Sequence, residues 1–176
     1  MNGSWSNALA RASWLEEKPV PALSESYKLG VAGVSAEMIL WNGDSIAASF
    51  YLRLASMSGS GRETLSERLN DPGTRFIPCK IDDQVELLNL EWISYIRIAG
   101  MIPEVAEREQ LGATRLGAKI LMQSGYLLEG QFLCVLPSAR ARLSDLLNVS
   151  ADRFLLFLAP AAVLYVNRDA IVRITP

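Results

Sequence analysis

The sequence predicts a mainly β protein with short helices, in which two pseudo-symmetric, small β-barrel-like units follow an N-terminal helix. Three observations support this α+β fold class. The segment 62–70 recurs 78 positions later as 140–148. Short apolar runs are separated by turn sequences of the kind that join antiparallel strands. Half of the residues are hydrophobic and a fifth are charged, which is typical of globular proteins.

The repeat continues without a gap to the last residue. It divides the chain into an N-terminal helix and linker (1–34), a first repeat unit (35–99), a linker helix (100–116) and a second repeat unit (117–176). The residues that are identical at equivalent positions of the two units form these pairs: Leu65 and Leu143, Ser66 and Ser144, Leu69 and Leu147, Asn70 and Asn148, Arg75 and Arg153, Phe76 and Phe154, Val85 and Val163, Asn89 and Asn167, Ile93 and Ile171, Ile96 and Ile174.

The N-terminal segment predicts an amphipathic helix over 4–17. Trp5 and Leu9 recur at helical spacing on its apolar side, and the prolines at 19 and 21 end it. A helix this short needs a surface to dock on, either in its own chain or on a partner. The stretch 24–34 is predicted to be a connector with room for a short edge strand.

Each unit is predicted to run strand, strand, helix, strand, strand, strand. Asn42-Gly43 is typical of a tight hairpin turn, because both central residues need a positive φ. Asp82-Asp83 occupies the turn of a second hairpin, and the linker helix starts at Pro103 and stops before Gly112. The predicted strands are 37–41, 44–53, 75–81, 84–90 and 92–98 in the first unit, and 119–122, 126–136, 153–159, 162–167 and 170–175 in the second.

The second hairpin differs in polarity between the two units. In the first unit it carries charged residues, whereas 154–166 in the second unit has none. A strand that is apolar on both faces must be covered on both, by the first unit, by the N-terminal helix or by another subunit. We therefore expect an assembly interface with another copy or a partner protein, formed by Trp5, Leu9, Leu156, Leu158 and Leu164.

Composition disfavours several classes of function. The chain has no histidine, and Cys79 and Cys134 stand far apart in apolar runs, which predicts two buried free thiols and no metal site or cofactor. Serine nucleophiles lack a histidine base, which argues against an enzyme. With 17 basic and 19 acidic residues, nucleic acid is not a favoured partner. Without a secretory leader or a run long enough to span a membrane, the sequence predicts a cytoplasmic protein.

One motif has the chemistry of an anion site. Gly59-Ser60-Gly61-Arg62 leads into a helix, where free backbone N–H groups and a guanidinium can meet a phosphate or carboxylate. Solvated, locally paired arginines in a flexible loop are the alternative interpretation. The candidate anion ligands are Gly59, Gly61, Arg62, Arg75, Arg140 and Arg153.

The repeated residues also carry a resemblance. The sequences Gly-Tyr-Leu-Leu-Glu-Gly-Gln-Phe (125–132), Arg-Leu-Ser-Asp-Leu-Leu-Asn (142–148) and Val-Asn-Arg-Asp-Ala-Ile-Val-Arg-Ile (166–174) resemble a bacterial domain-of-unknown-function family with tandem small barrel-like repeats. The last two strands are also similar to those of Sm-like barrels. The first resemblance implies no ligand or catalytic residue, and the second implies RNA binding.

Together these observations predict a cytoplasmic, non-enzymatic interaction or scaffold module that forms homo-oligomers or binds a partner protein. Two other functions remain open on the sequence. One is a sensor of a small anionic ligand such as a nucleotide or phosphate, and the other is an Sm-like RNA-binding protein.

Overall fold

A computed structural model describes residues 32–54, 61–135 and 142–176. The predicted N-terminal helix, with Trp5 and Leu9, lies outside the described residues. The first repeat contains β1 (Ala32–Leu40), β2 (Ser45–Leu52), α1 (Leu65–Asn70), β3 (Phe76–Ile81), β4 (Gln84–Asn89) and β5 (Ile93–Ala99). After α2 (Pro103–Gln110), the second contains β6 (Thr114–Met122), β7 (Leu127–Cys134), α3 (Leu143–Val149), β8 (Phe154–Ala159), β9 (Ala162–Asn167) and β10 (Ile171–Thr175).

The described strands form one open antiparallel sheet of ten strands, in the order β10-β6-β7-β8-β9-β5-β1-β2-β3-β4. The prediction of a mainly β protein with short helices is confirmed. The prediction of barrel-like units is wrong for the described residues, because neither unit closes on itself. Instead β5 of the first repeat pairs with β9 of the second, so the strands that would have to meet within one barrel are used to join the repeats.

The pairing registers of the first repeat recur in the second. Phe50 faces Cys79 between β2 and β3, and the equivalent Phe132 faces Phe157. Even the irregularity recurs, since both β1 and β6 shift register near their ends where they pair with β5 and β10. The two repeats therefore share strand order and alignment as well as sequence.

Local sequence explains the turns. Asp82 and Asp83 both have positive φ, 45° and 68°, as the two-residue turn between β3 and β4 requires. Gly43 and Gly125 take φ values near 90° at equivalent turns before β2 and β7. The first strand begins at Ala32, five residues earlier than predicted, because pairing with β2 extends it into the segment read as a connector.

The two faces of the β8–β9 hairpin pack into two different cores. Leu155, Phe157, Leu164 and Val166 lie in a buried cluster with the second repeat's own β6 and β7 residues. The alternate residues Phe154, Leu156, Val163 and Tyr165 lie in the first repeat's cluster. The uncharged hairpin is thus covered on both faces within the chain, on one of them by the first repeat.

Cys79 and Cys134 are both buried free thiols, as the sequence predicts. Burial raises the pKa of the Cys79 thiol to about 11, which keeps it protonated and unreactive at neutral pH. In the described part of the chain, every helix is too short or too polar to cross a bilayer.

Candidate functional site

The candidate site is identified by comparison with the junction between the two repeats. β5 and β9 pair antiparallel from Tyr95 opposite Val166 to Ala99 opposite Ala162. In repeat terms, the fifth strand of one unit pairs with the fourth strand of the other. Such a junction joins two similar units head to tail. It leaves the fourth strand of the first unit and the fifth strand of the second unit without a partner of this kind.

Side chains from α1 and β5 cover the face of the β8–β9 hairpin that points to the first repeat. Phe154, Val163 and Tyr165 are at most 1% exposed there. They share one buried cluster with Leu65 and Leu69 of α1 and with Ile93 and Ile96 of β5. The junction is therefore an apolar, fully desolvated contact as well as a strand pairing.

Asn70 at the end of α1 fixes the start of β8. Its side-chain amide donates to the carbonyl oxygen of Phe154 at 3.0 Å. The amide N–H of Phe154 donates back to the Asn70 carbonyl oxygen at 2.8 Å. This reciprocal pair satisfies both backbone groups of a residue whose side chain is completely buried.

A buried polar network crosses the same junction. The Tyr165 hydroxyl donates to one oxygen of Glu104 at 2.7 Å, and Nε of Arg108 donates to the other at 3.1 Å. Arg108 also donates to the Ser66 hydroxyl of α1 at 3.0 Å. Burial, and then the adjacent Glu104 carboxylate, raise the pKa of Tyr165, so that it remains a neutral donor. These side chains satisfy one another and tie α1, α2 and β9 together.

The free ends of the sheet are β4 and β10. β4 is the repeat equivalent of β9, and β10 is the equivalent of β5, so the two edges are the strand types that pair at the internal junction. Within the described residues, β4 pairs with β3 alone and β10 with β6 alone. We define the outer face of the β3–β4 hairpin as Phe76, Pro78, Val85 and Leu87.

Exposure along this outer face contrasts with exposure at the internal junction. Phe76, Val85 and Leu87 are 51%, 66% and 70% exposed. Their repeat equivalents are Phe154, Val163 and Tyr165, each of which is buried. Two of the three positions carry the identical residue in both repeats. The apolar character of this face is kept where the described residues do not cover it.

The opposite end of the sheet shows the matching contrast. Leu65, Leu69, Ile93 and Ile96 are all buried at the junction. Their equivalents Leu143, Leu147, Ile171 and Ile174 are identical in type but only half-buried. Asn148, the equivalent of Asn70, is exposed and donates to the carbonyl oxygen of Ser144 in its own helix.

The structure describes four of the six predicted anion ligands, Gly61, Arg62, Arg75 and Arg153. Gly59 and Arg140 lie outside the described residues, and Gly61 is an exposed residue ahead of α1. Arg62 lines a cleft of about 590 Å³ between α1 and α2, whose lining also includes the carboxylates of Glu63, Glu67, Glu104 and Glu107. Arg75 is not part of that lining, and its guanidinium is 2.7 Å from a Glu91 carboxylate oxygen. Arg153 is partly buried at the start of β8.

The predicted interface residues of the second repeat lie inside the protein. Leu156 and Leu164 are 2% and 3% exposed, and Leu158 packs half-buried against the first repeat's core. Leu156 and Leu164 are thus covered within the chain and do not offer a surface to another protein. The outer face of β3–β4 was not predicted as an interface, because charged residues surround it in the sequence. The sequence did carry one indication of this face. Phe76 and Val85 are identical to Phe154 and Val163 at the equivalent positions of the second repeat.

No group of histidine, cysteine, aspartate and glutamate side chains in the described ranges is arranged to hold a metal ion. Comparison of the chain with protein-family models, with curated proteins and with solved structures finds no match. The candidate site is therefore defined by the repeat symmetry of this chain alone.

Proposed function

We propose that the chain is a non-enzymatic interaction and scaffold module that binds another polypeptide strand along β4. The observation that carries this proposal is the edge of β4 that no other described strand pairs with, flanked by the exposed apolar outer face of Phe76, Pro78, Val85 and Leu87. An exposed apolar face beside an open strand edge is typical of a protein-binding surface.

Both parts of this surface contribute to binding by strand addition. The backbone N–H and C=O groups along the free side of β4 provide main-chain hydrogen bonds, and alternate side chains provide specificity. Charged residues limit indiscriminate association at the same edge. Lys80 and Asp83 form a 2.6 Å ion pair at the hairpin turn, and Glu86 is exposed on the other face of β4.

In vivo photo-crosslinking tests this function. A benzophenone amino acid replaces Leu87 in one variant and Leu127 in a control, because these two leucines are 70% and 66% exposed. Irradiation of cells producing the full chain is expected to yield a discrete protein adduct from position 87 and much less from position 127. Equal yields at the two positions, or no adduct at position 87, would contradict the proposal.

A further inference from the structure

We infer that the strand bound by β4 is β10 of a second copy of this chain, which rests on the proposed function and names its partner. The internal junction supplies the argument. β9 and β5 already form this pair within one chain, and β4 and β10 are their repeat equivalents at opposite ends of the same sheet. The contact between copies then repeats a contact whose geometry the protein already contains.

The repeat fixes the register of this pairing. Ile96 faces Tyr165 at the internal junction, so Ile174 of one copy faces Leu87 of the next. Likewise Arg97 faces Leu164, which places Thr175 opposite Glu86. A shift by one residue would turn the apolar outer face away from its cover, so the register is specific.

The predicted pairing between copies also covers the exposed apolar side chains. At the internal junction, Phe154 and Val163 are buried against Leu65, Leu69 and Ile96. Between copies, Phe76, Val85 and Leu87 meet the half-buried residues Leu143, Leu147 and Ile174 of α3 and β10. Each side of the contact therefore supplies the apolar surface that the other lacks.

The polar groups are complementary as well. Asn148 takes the place of Asn70, and its side-chain amide reaches the backbone N–H and C=O of Phe76 in the neighbouring copy. Arg173 lies diagonally across from Glu86 in the predicted register, on one face of the joined sheet, where opposite charges on long side chains attract. The charge of Glu86, which hinders unspecific pairing at the β4 edge, thus favours pairing with β10.

A contact between two different edges is a heterologous one. It gives each copy one donor end and one acceptor end, so that assembly continues until a ring closes or a filament forms. Pairing of β4 with β4 would instead stop at a dimer.

Mixing two variants tests the inference. Light scattering measures the mass of the full chain, of Leu87→Arg on β4 and of Ile174→Arg on β10. The wild type is expected to exceed a dimer, whereas each variant alone remains at the 19.3 kDa of one chain. Each variant retains one intact end, so an equal mixture is expected to form a species of two chains and nothing larger.

A milder pair of variants guards against misfolding. Arg173 is exposed, and Arg173→Glu is expected to weaken association about fivefold, with Glu86→Arg in the same chain restoring it. Circular dichroism checks that each variant is folded. A monomeric wild type, a mixture that stays monomeric, or an Ile174→Arg variant with wild-type mass would overturn the inference. If position 87 then crosslinks to a different protein, the interaction function stands without self-assembly.

Discussion

At the scale of single residues, Asn70 and Asn148 show how one side chain acquires two environments. They occupy the same repeat position at the end of a short helix. Asn70 binds both backbone groups of Phe154 across the junction, whereas Asn148 binds a carbonyl of its own helix. The identity of the two residues is unexplained by the contacts of one chain, and it is accounted for if Asn148 binds a neighbouring copy.

Substitution of these two residues is expected to have different effects. Asn70→Ala leaves the buried N–H and C=O of Phe154 without a partner, at an expected cost of about 1–3 kcal/mol in the free energy of unfolding. Asn148→Ala is expected to cost less than about 0.5 kcal/mol, because the residue is exposed. Urea unfolding at a protein concentration that keeps the chain monomeric measures both. Equal losses would show that Asn70 does not hold the junction.

At the scale of elements, strand β7 approaches β8 so closely that it has no room for a side chain at position 130. A Cβ on Gly130 would overlap the carbonyl oxygen of Leu158 and lie 2.7 Å from a ring carbon of Phe157. Gly117 in the neighbouring strand β6 has open space and lies in an ordinary strand conformation. Comparing alanine substitutions at positions 130 and 117 therefore separates the effect of tight packing at position 130 from the effect that replacing any glycine has on the unfolded chain.

Gly130→Ala is therefore expected to reduce the free energy of unfolding by about 1–3 kcal/mol through overpacking. Gly117→Ala is expected to be neutral or to stabilise by up to about 1 kcal/mol, since it restricts the unfolded chain without strain. Thermal unfolding followed by circular dichroism compares the two. A Gly130→Ala variant as stable as Gly117→Ala would contradict the close approach of β7 and β8.

Local sequence was sufficient to predict most elements, because their determinants are local. Asp82-Asp83 specifies a turn and Pro103 starts a helix. The reciprocal capping of α1 by Thr64 and Glu67, at 2.8 and 3.1 Å, is equally local but was not predicted. The joining of β5 to β9 depends on pairing between residues 63 to 71 positions apart. The alternation of residue types within a strand specifies its register and buried face but does not specify which distant strand it pairs with. The closed units were therefore predicted incorrectly, and the interface was assigned to residues that the junction buries.

At the scale of the whole molecule, the described residues form one sheet whose two end strands are the repeat equivalents of the strands that pair at the internal junction. Among the described residues, one end presents a fourth strand that nothing covers, with its apolar outer face, and the other presents a fifth strand with half-buried leucine and isoleucine side chains. At the internal junction, the equivalent strands β9 and β5 pair with each other and their apolar side chains are buried. Duplication of one unit provides the internal junction, and under the proposed assembly the same pair of strands would join further copies.

Engineered disulfides test this claim most directly. The chain Leu87→Cys with Ile174→Cys places cysteines directly opposite each other in the predicted contact between copies. The chain Leu87→Cys with Thr175→Cys is offset by one residue, so its two thiols point to opposite faces of the sheet. The native thiols are buried and do not interfere. Under mild oxidation, the first chain is expected to form a ladder of covalent oligomers that the second does not form. Equal crosslinking of the two chains, or no crosslinking of the first, would contradict pairing of β4 with β10.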